Sequence, residues 1–338
     1  MSGGVRGRMG DPSSLLDPDL AVPGQPESEG IIATQRGKMR AFGVFAGLAA
    51  AGIWGGMYVV SKVVLDVIPP FTLLTLRLIL GAACLGAVIV ARGGFRATRH
   101  DWARVLLVGL VGYGISLGLQ FTGTKLSTAA TASLVTSASP VFILLFGAWM
   151  LREPVTGRRL AALALASLGV LAVLDPRGAA LGRQAFLGNL ALLGAALSWG
   201  LYSVMVKQAS GYLNTLEVSF IVLFGGLPTS LPLVWVELRT IGVGAITPGV
   251  IAGVLYLGIV STAGAMYLWN KSLALLDAGV VSLLFFAQPV VGVALGGWLL
   301  HESLGLGFWI GAGLISAGLV MAAMVPMPRT REATQRAD

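Results

Sequence analysis

Charge is what this sequence has least of. Only 11% of its 338 residues are Asp, Glu, Lys or Arg, against about 25% in an ordinary soluble domain, and the mean hydropathy is +0.84. A soluble globular protein is excluded. A single cysteine rules out a disulfide framework. Two histidines and 15 acids, most of them in the tails or at the edges of apolar blocks, leave no cluster spaced for a metal site or a Ser/His/Asp triad. Neither an enzyme nor a cofactor is expected. The net charge of +8 does not point to nucleic acid, because the basic residues line the ends of apolar blocks instead of forming a stripe with interleaved aromatics.

What is present is apolar length. Ten blocks of about 20 residues, each able to cross a hydrocarbon core of about 30 Å as a helix, are separated by short polar or glycine-rich breaks. The expected spans are 41 to 66, 69 to 91, 103 to 121, 127 to 149, 156 to 174, 187 to 207, 214 to 236, 248 to 270, 276 to 300 and 304 to 325. Residues 1–36, with four prolines and no apolar run, read as a disordered tail without a signal peptide, and 326–338 as a second tail. Arg36, Lys38, Arg40, Arg92, Arg96, Arg99, Arg104, Arg152, Arg158, Arg159, Arg329 and Arg331 fall on one side of this topology. Lys125, Arg177, Arg183 and Arg239 fall on the other. The bias places both termini in the cytoplasm.

The chain also repeats itself. At an offset of 149, Ser133, Pro140, Gly147, Trp149 and Glu153 meet Ser282, Pro289, Gly296, Trp298 and Glu302. At an offset of 145, Trp54, Gly55, Val59 and Lys62 meet Trp199, Gly200, Val204 and Lys207. The halves are 41–174 and 187–325, joined by a linker over 175–186. Five helices per copy is an odd number, so the second copy enters the membrane from the opposite side, an arrangement suited to alternating access.

The stretch TSASPVFILLFGAWMLREPVTGRRLAALALASLGVLAV, its copy FFAQPVVGVALGGWLLHESLGLGFWIGAGLISAGLV, and AGIWGGMYVVSKVVLDVIPPFTLLTLRLIL carry a resemblance. They look like the paired EamA domains of the drug/metabolite transporter superfamily, over about residues 41 to 325. Most specific are the proline followed thirteen residues later by glutamate, present twice, and Arg77 of the second helix. The resemblance implies an all-α polytopic membrane protein of ten helices in two inverted five-helix repeats. It also implies a central cavity lined mainly by helices 1, 3, 4, 6, 8 and 9, and transport of small metabolites, often export. The second copy departs from the pattern at Val222, where the 145 offset would put a second Arg77.

Polar groups in apolar spans should face a cavity or another helix, since lipid cannot satisfy them. They concentrate in five helices, the third, fourth, sixth, eighth and ninth, and the candidates for a cavity wall are Tyr113, Gln120, Ser133, Ser137, Tyr202, Ser203, Tyr267, Asn270, Ser282 and Gln288. For any one hydroxyl, plain helix packing is the simpler explanation. Trp54 and Trp199, near the middle of their spans and with Tyr58 and Tyr202 one turn away, are candidates for aromatic walls, with core packing the alternative. Trp269, near a helix end, reads as an interfacial belt residue. Arg77 is a cation inside a span and needs a partner, a substrate carboxylate or helix-end carbonyls; because helix 2 is peripheral in the family, the structural role is favoured. Glu153 and Glu302 read as helix caps, with a gate or proton site as the sharper alternative. Pro140 and Pro289 read as kinks inside helices 4 and 9 that serve as hinges or shape a static cavity.

These readings converge on an inner-membrane permease that exports a small metabolite, an amino acid or similar, by alternating access. Its expected partners are the substrate and the lipid bilayer, with a homodimer left open. The alternative substrates are drug-like or nucleoside-type compounds. From a different class, a non-transporting membrane scaffold or sensor would place the function in the tail.

Overall fold

The computed structural model describes residues 26–126, 135–136, 138–173, 183–288, 290–291, 294–295 and 306–323, and among these every element is helical. The chain divides into two compact units, Met1–Ala41 and Phe42–Asp338. In the first unit the described residues 26–41 are helical, although the sequence reads as a tail through 36. Pro26 stands at the first helical position, where its missing N–H costs nothing.

The second unit holds the bundle. Its helices are α1 (Pro26–Leu65, from Phe42 onward), α2 (Pro70–Ala91), α3 (99–126), α4 (Ser139–Met150), α5 (Gly157–Val173), α6 (Arg183–Ala209), α7 (215–240), α8 (248–275), α9 (Ala278–Leu284) and α10 (Leu306–Ala323). Local chemistry sets many of the starts. A capping box opens α3, with Thr98 Oγ1 accepting from Asp101 N and Asp101 Oδ2 accepting from Thr98 N. Asn214 caps α7 through Leu216 N, and Thr247 caps α8 through Val250 N, with Pro248 following it.

Among the described residues five helices are long and apolar enough to cross a membrane, Gly37–Met57, Pro70–Ala91, Arg99–Gly123, Phe186–Ala209 and Pro248–Leu275, and α7 makes a sixth if its two halves form one span. Many large apolar side chains, among them Phe45, Trp149, Leu168 and Trp309, are exposed, as a lipid-facing surface requires.

Three helices depart from the expected straight spans. In α7, Thr215–Gly225 and Leu227–Thr240 meet at 41°, because Pro228 lacks a donor just after Gly225-Gly226. In α3 and α8 the α-helix gives way to π-helical stretches, Leu110–Ser116 and Tyr256–Gly264. Each contains one member of the pair Ser116 and Ser261, which lie 145 residues apart. A π turn re-aims side chains within an otherwise continuous helix and frequently occurs at functional sites.

Packing runs across the two halves of the sequence. α2 lies against the π stretch of α8, and α7 against that of α3. Gly81 and Gly226, again 145 apart, permit both approaches: a Cβ at Gly81 would stand 2.9 Å from Thr262, and one at Gly226 2.8 Å from Tyr113 and Leu78. The second half of α3 and all of α4 pack on α6, while α5 and α10 pack chiefly on each other.

Two buried carboxylates fasten helix starts from a distance. Glu237 of α7 accepts from Phe71 N (2.9 Å) and Thr72 N (2.8 Å) at the start of α2. Glu217 accepts from Arg96 N (3.1 Å) and Ala97 N (2.8 Å) just ahead of α3. A negative charge on unpaired amides at a helix start is favoured by hydrogen bonding and by the helix dipole together. Pro140, expected as a kink in mid-helix, lies instead in the first turn of α4, where its ring displaces no hydrogen bond.

Candidate functional site

A cavity of about 150 Å³ lies between helices of both halves. By the same measure a water takes about 10–15 Å³, so the space suits one small metabolite. Helical spacing places its walls. Trp54, Met57, Ser61 and Leu65 recur every three or four residues along one face of α1, and Ser116, Leu117, Gln120 and Phe121 do so on α3. Ala195, Ala196 and Trp199 come from α6, and Met266 from α8. Thr136 stands just before α4 and Ser139 at its first position, Phe285 and Gln288 lie just beyond α9, and Arg77 comes from α2. α5, α7 and α10 contribute none of the described lining.

Arg77 is 7% exposed. Its Nε donates to Thr262 Oγ1 (3.2 Å), and its Nη2 donates to Ser261 Oγ (3.4 Å) and Met57 Sδ (3.1 Å). Thr262 Oγ1 in turn donates to Leu257 O (2.7 Å), five residues back, a reach that the π geometry provides. Trp54 docks on the same stretch, its indole N–H donating to Ser261 O (3.1 Å). The partners of Arg77 thus include two hydroxyls and a thioether, and α2 reaches the cavity through it.

At mid-bundle the cavity ends on stacked aromatics. Trp54 meets Trp199 edge-on at 5.8 Å, Trp269 at 5.4 Å and Phe285 at 6.1 Å. Trp269, expected at an interface, is fully buried here because the rings of Trp54 and Phe285 close over it. Beyond this layer Tyr202, one turn past Trp199 on α6, and Asn270, next to Trp269 on α8, form a polar core. The Tyr202 hydroxyl lies 3.3 Å from Asn270 Oδ1 and 3.5 Å from the Tyr113 hydroxyl, and Asn270 Nδ2 donates to Ser219 Oγ (3.0 Å).

Farther along the same helices comes a charged cluster. Lys207 lies eight residues beyond Trp199, about 12 Å along the axis of α6. Its ammonium donates to Leu273 O (3.1 Å) and Leu276 O at the end of α8, and stands 3.6 Å from Glu153 Oε1. Glu153 accepts from Ala278 N (2.9 Å) and Gly279 N (3.1 Å) at the start of α9. Glu153 thus caps a helix, as its position in the sequence suggests, but a helix of the other half, not its own neighbour α5. Arg159, 1% exposed, pairs with Asp277, lies 3.9 Å from Glu153 and donates to Pro154 O.

Of the residues expected on a cavity wall, the structure brings Trp54, Gln120, Trp199 and Gln288 together there, with Arg77. Tyr113, Tyr202, Ser203, Asn270 and Ser282 are buried but do not line it. Their polar groups are taken up inside the bundle, Ser203 Oγ donating to Trp199 O and Ser282 Oγ to Gly279 O. Tyr267 is half-buried and packs against the main apolar core, away from the lining. Ser133, Ser137, Pro289, Glu302 and the side chain of Tyr58 lie outside the described residues. Ser61, Phe121 and Phe285 are wall residues that the sequence reading missed; Ser61, two turns from Trp54 on the same face, was within reach of the periodicity.

Comparison with known proteins agrees with this architecture. The EamA-like transporter family matches residues 41–174 and again 186–324. A "Probable amino-acid metabolite efflux pump" of Salmonella typhimurium is 31% identical over 290 residues, covering 81% of this chain and 92% of that protein. A protein of the same description from Escherichia coli is 31% identical over 82% of this chain and 93% of its own length. The "Uncharacterized transporter YetK" of Bacillus subtilis is 27% identical over 83% and 87%. A solved crystal structure, 23% identical, superposes with a TM-score of 0.70 over 83% of this chain and 96% of that one, and so shares the fold. With both halves matched and relatives named as transporters and efflux pumps instead of enzymes, the chain belongs to the EamA-like transporter family.

Proposed function

We propose that this protein is an alternating-access permease that exports a small amphipathic metabolite of amino-acid type across the inner membrane. The observation that carries the reading is the asymmetry of the space between the halves. A cavity lined from both repeats reaches toward Leu65 at the end of α1. In the opposite direction it is shut by three successive layers, aromatic, polar and charged. Two inverted five-helix repeats, ten spans in all, would open such a cavity to either side in turn. The arginines Arg92, Arg96, Arg152 and Arg158 flank the shut end, which the positive-inside bias makes cytoplasmic, so this is an outward-facing state. The size of the cavity, its apolar walls and its few polar groups suit a small amphipathic compound. The description of the two efflux pumps supports amino-acid metabolites in particular.

The test is counterflow in proteoliposomes of the full chain, loaded with a pool of unlabelled amino acids and offered one labelled member, with and without a pH gradient. Saturable uptake dependent on the trans pool is the expected result. Correctly inserted protein that gives no counterflow with amino acids, but does so with nucleosides or aromatic drugs, would replace the substrate class. No counterflow with any of them would overturn transport itself.

A further inference from the structure

A second concavity, of about 330 Å³, lies between α2 and α7, away from the cavity already described. Its lining is wholly apolar, with Ile79, Ala83 and Gly86 of α2 opposite Phe220, Phe224 and Leu227 of α7. Ile79 and Ala83 are exposed at its lip, so in a membrane the groove opens on lipid. The α2 wall is low because Ala82, Ala83 and Gly86 carry one methyl or none. At one end Phe220 closes it, since a Cβ at Gly86 would stand 3.0 Å from that ring.

An independent feature meets the groove at this end. Phe220 lies 4.9 Å from Phe95 and 5.9 Å from Trp102, and Phe224 lies 6.0 Å from Trp102, ring to ring. These aromatics tie the groove to the segment that joins α2 to α3, and that segment is basic. Arg92, Arg96, Arg99 and Arg104 fall within 13 residues, and all four are exposed. Arg92 follows Gly86 by six residues, about 9 Å along α2. The neighbouring acids are already engaged. Glu217, one turn before Phe220, accepts from Arg96 N and Ala97 N, and Asp101 accepts from Thr98. Arg104 lies in the field of Asp101, while Arg92, Arg96 and Arg99 form no ion pair among the described residues.

We propose that the groove is a binding site for one anionic phospholipid, with an acyl chain between α2 and α7 and the phosphate held by the arginines beside Phe95. A wholly apolar trough takes hydrocarbon, and guanidinium forks match phosphate oxygens in pairs. The two features lie end to end, so the occupant carries both groups, and in a membrane a phospholipid supplies both at this depth. The positive-inside bias accounts for arginines on this side of the membrane, but not for an apolar groove that ends among them. A headgroup that bears its own ammonium would bring a further positive charge to the arginines, so the site selects net negative charge. The site is separate from the transport pathway, and its existence does not depend on what the cavity carries.

The experiment equilibrates the delipidated full chain in detergent with dioleoyl phosphatidylglycerol and dioleoyl phosphatidylethanolamine, which share their chains, and counts the lipids retained by native mass spectrometry. One phosphatidylglycerol retained in preference is the expected result, and equal retention of the two lipids overturns the proposal. Arg92→Gln and Arg96→Gln should each weaken that retention about fivefold, the contribution of one arginine near an anionic headgroup. Arg152→Gln, outside the groove, should leave it unchanged. Retention unaltered in both groove variants, or weakened as much by Arg152→Gln, overturns the site, because the charge would then act only as a diffuse field.

Ala83→Phe tests the chain, since it fills the groove from its exposed lip and leaves the arginines in place. It should weaken retention by about tenfold or more, the equivalent of about two buried methylenes. A contact made by charge alone would survive this substitution, so unchanged retention by a folded Ala83→Phe protein overturns the groove as the site. Should that variant fail to fold, Ile79→Trp, on the same lip, decides in the same way.

Discussion

Replacing Glu153 by alanine removes the link that holds the start of α9 to the end of α4, and the size of the effect follows from the contacts. Its carboxylate is 10% exposed and accepts from Ala278 N at 2.9 Å and Gly279 N at 3.1 Å. Hydrogen bonds to a charged group contribute about 1.5–3 kcal/mol each. An orphaned buried charge would cost about 3–5 kcal/mol, but Lys207 retains the carbonyls of Leu273 and Leu276, and Arg159 retains Asp277. We therefore expect the shut end to lose about 3 kcal/mol in Glu153→Ala, a shift of about two powers of ten in the ratio of shut to open states. Glu153→Gln, which keeps one acceptor oxygen, should lose about half as much, roughly tenfold. The assay uses the single cysteine to advantage. In a Cys84→Ala background, Ser203→Cys lies in the polar core behind the aromatic layer, and its reaction with an impermeant thiol reagent is timed from the Arg92 side. Modification should be slow in the parent, faster in Glu153→Gln and fastest in Glu153→Ala, while Ser61→Cys reacts from the opposite side throughout. Equal Ser203→Cys rates in all three, with the proteins correctly inserted, would refute the idea that this carboxylate holds the end shut.

Other expectations concern stability. Any Cβ at Gly109 would run into the backbone of Val222, so Gly109→Ala should cost about 1–3 kcal/mol by overpacking, seen as a lower Tm in detergent; an unchanged Tm would mean that α3 and α7 do not pack this closely. Trp54→Phe gives up the bond to Ser261 O and should cost about 1 kcal/mol or more. Trp199→Phe removes an N–H that has no acceptor among the described residues and should be neutral or stabilising, so equal losses in the two would contradict the asymmetry between them. Glu237→Gln weakens the hold on Phe71 N and Thr72 N, with a loss of about 1–2 kcal/mol; the readout is hydrogen exchange at the first turn of α2, which should quicken there and not in α5.

The arrangement of the candidate site was only partly open to sequence reasoning. Trp54, Trp199, Gln120 and Gln288 could be picked out because an aromatic or amide in mid-span has few reasons to be there. Tyr202 and Asn270 met the same criterion and proved to be core, since a hydroxyl and an amide that find each other look the same in sequence as a pair that awaits a ligand. Glu153 was legible as a cap, because a carboxylate at a tight connection has amides nearby. That the amides belong to α9 depends on a contact over 125 residues, which no local pattern encodes. Arg77 was visible as an anomaly, but its direction was not, because a π stretch in a helix 184 residues away supplies its hydroxyl partners.

By itself the sequence determined that the chain is apolar enough for a membrane, that it is built of helices and that it consists of one unit used twice. Composition, periodicity and self-similarity are properties of the chain before it folds. Only the tertiary structure decided that α2 joins the cavity through Arg77, that Trp269 is core and that α7 bends at Gly226. The same packing shuts one end of the cavity with Glu153, Arg159, Lys207 and Asp277. In an apolar chain nearly every helix face is compatible with burial, so hydrophobicity alone does not choose which faces meet. That choice falls to a few glycines, buried carboxylates and re-aimed π turns, whose partners are far away in sequence and become neighbours only when the halves pack.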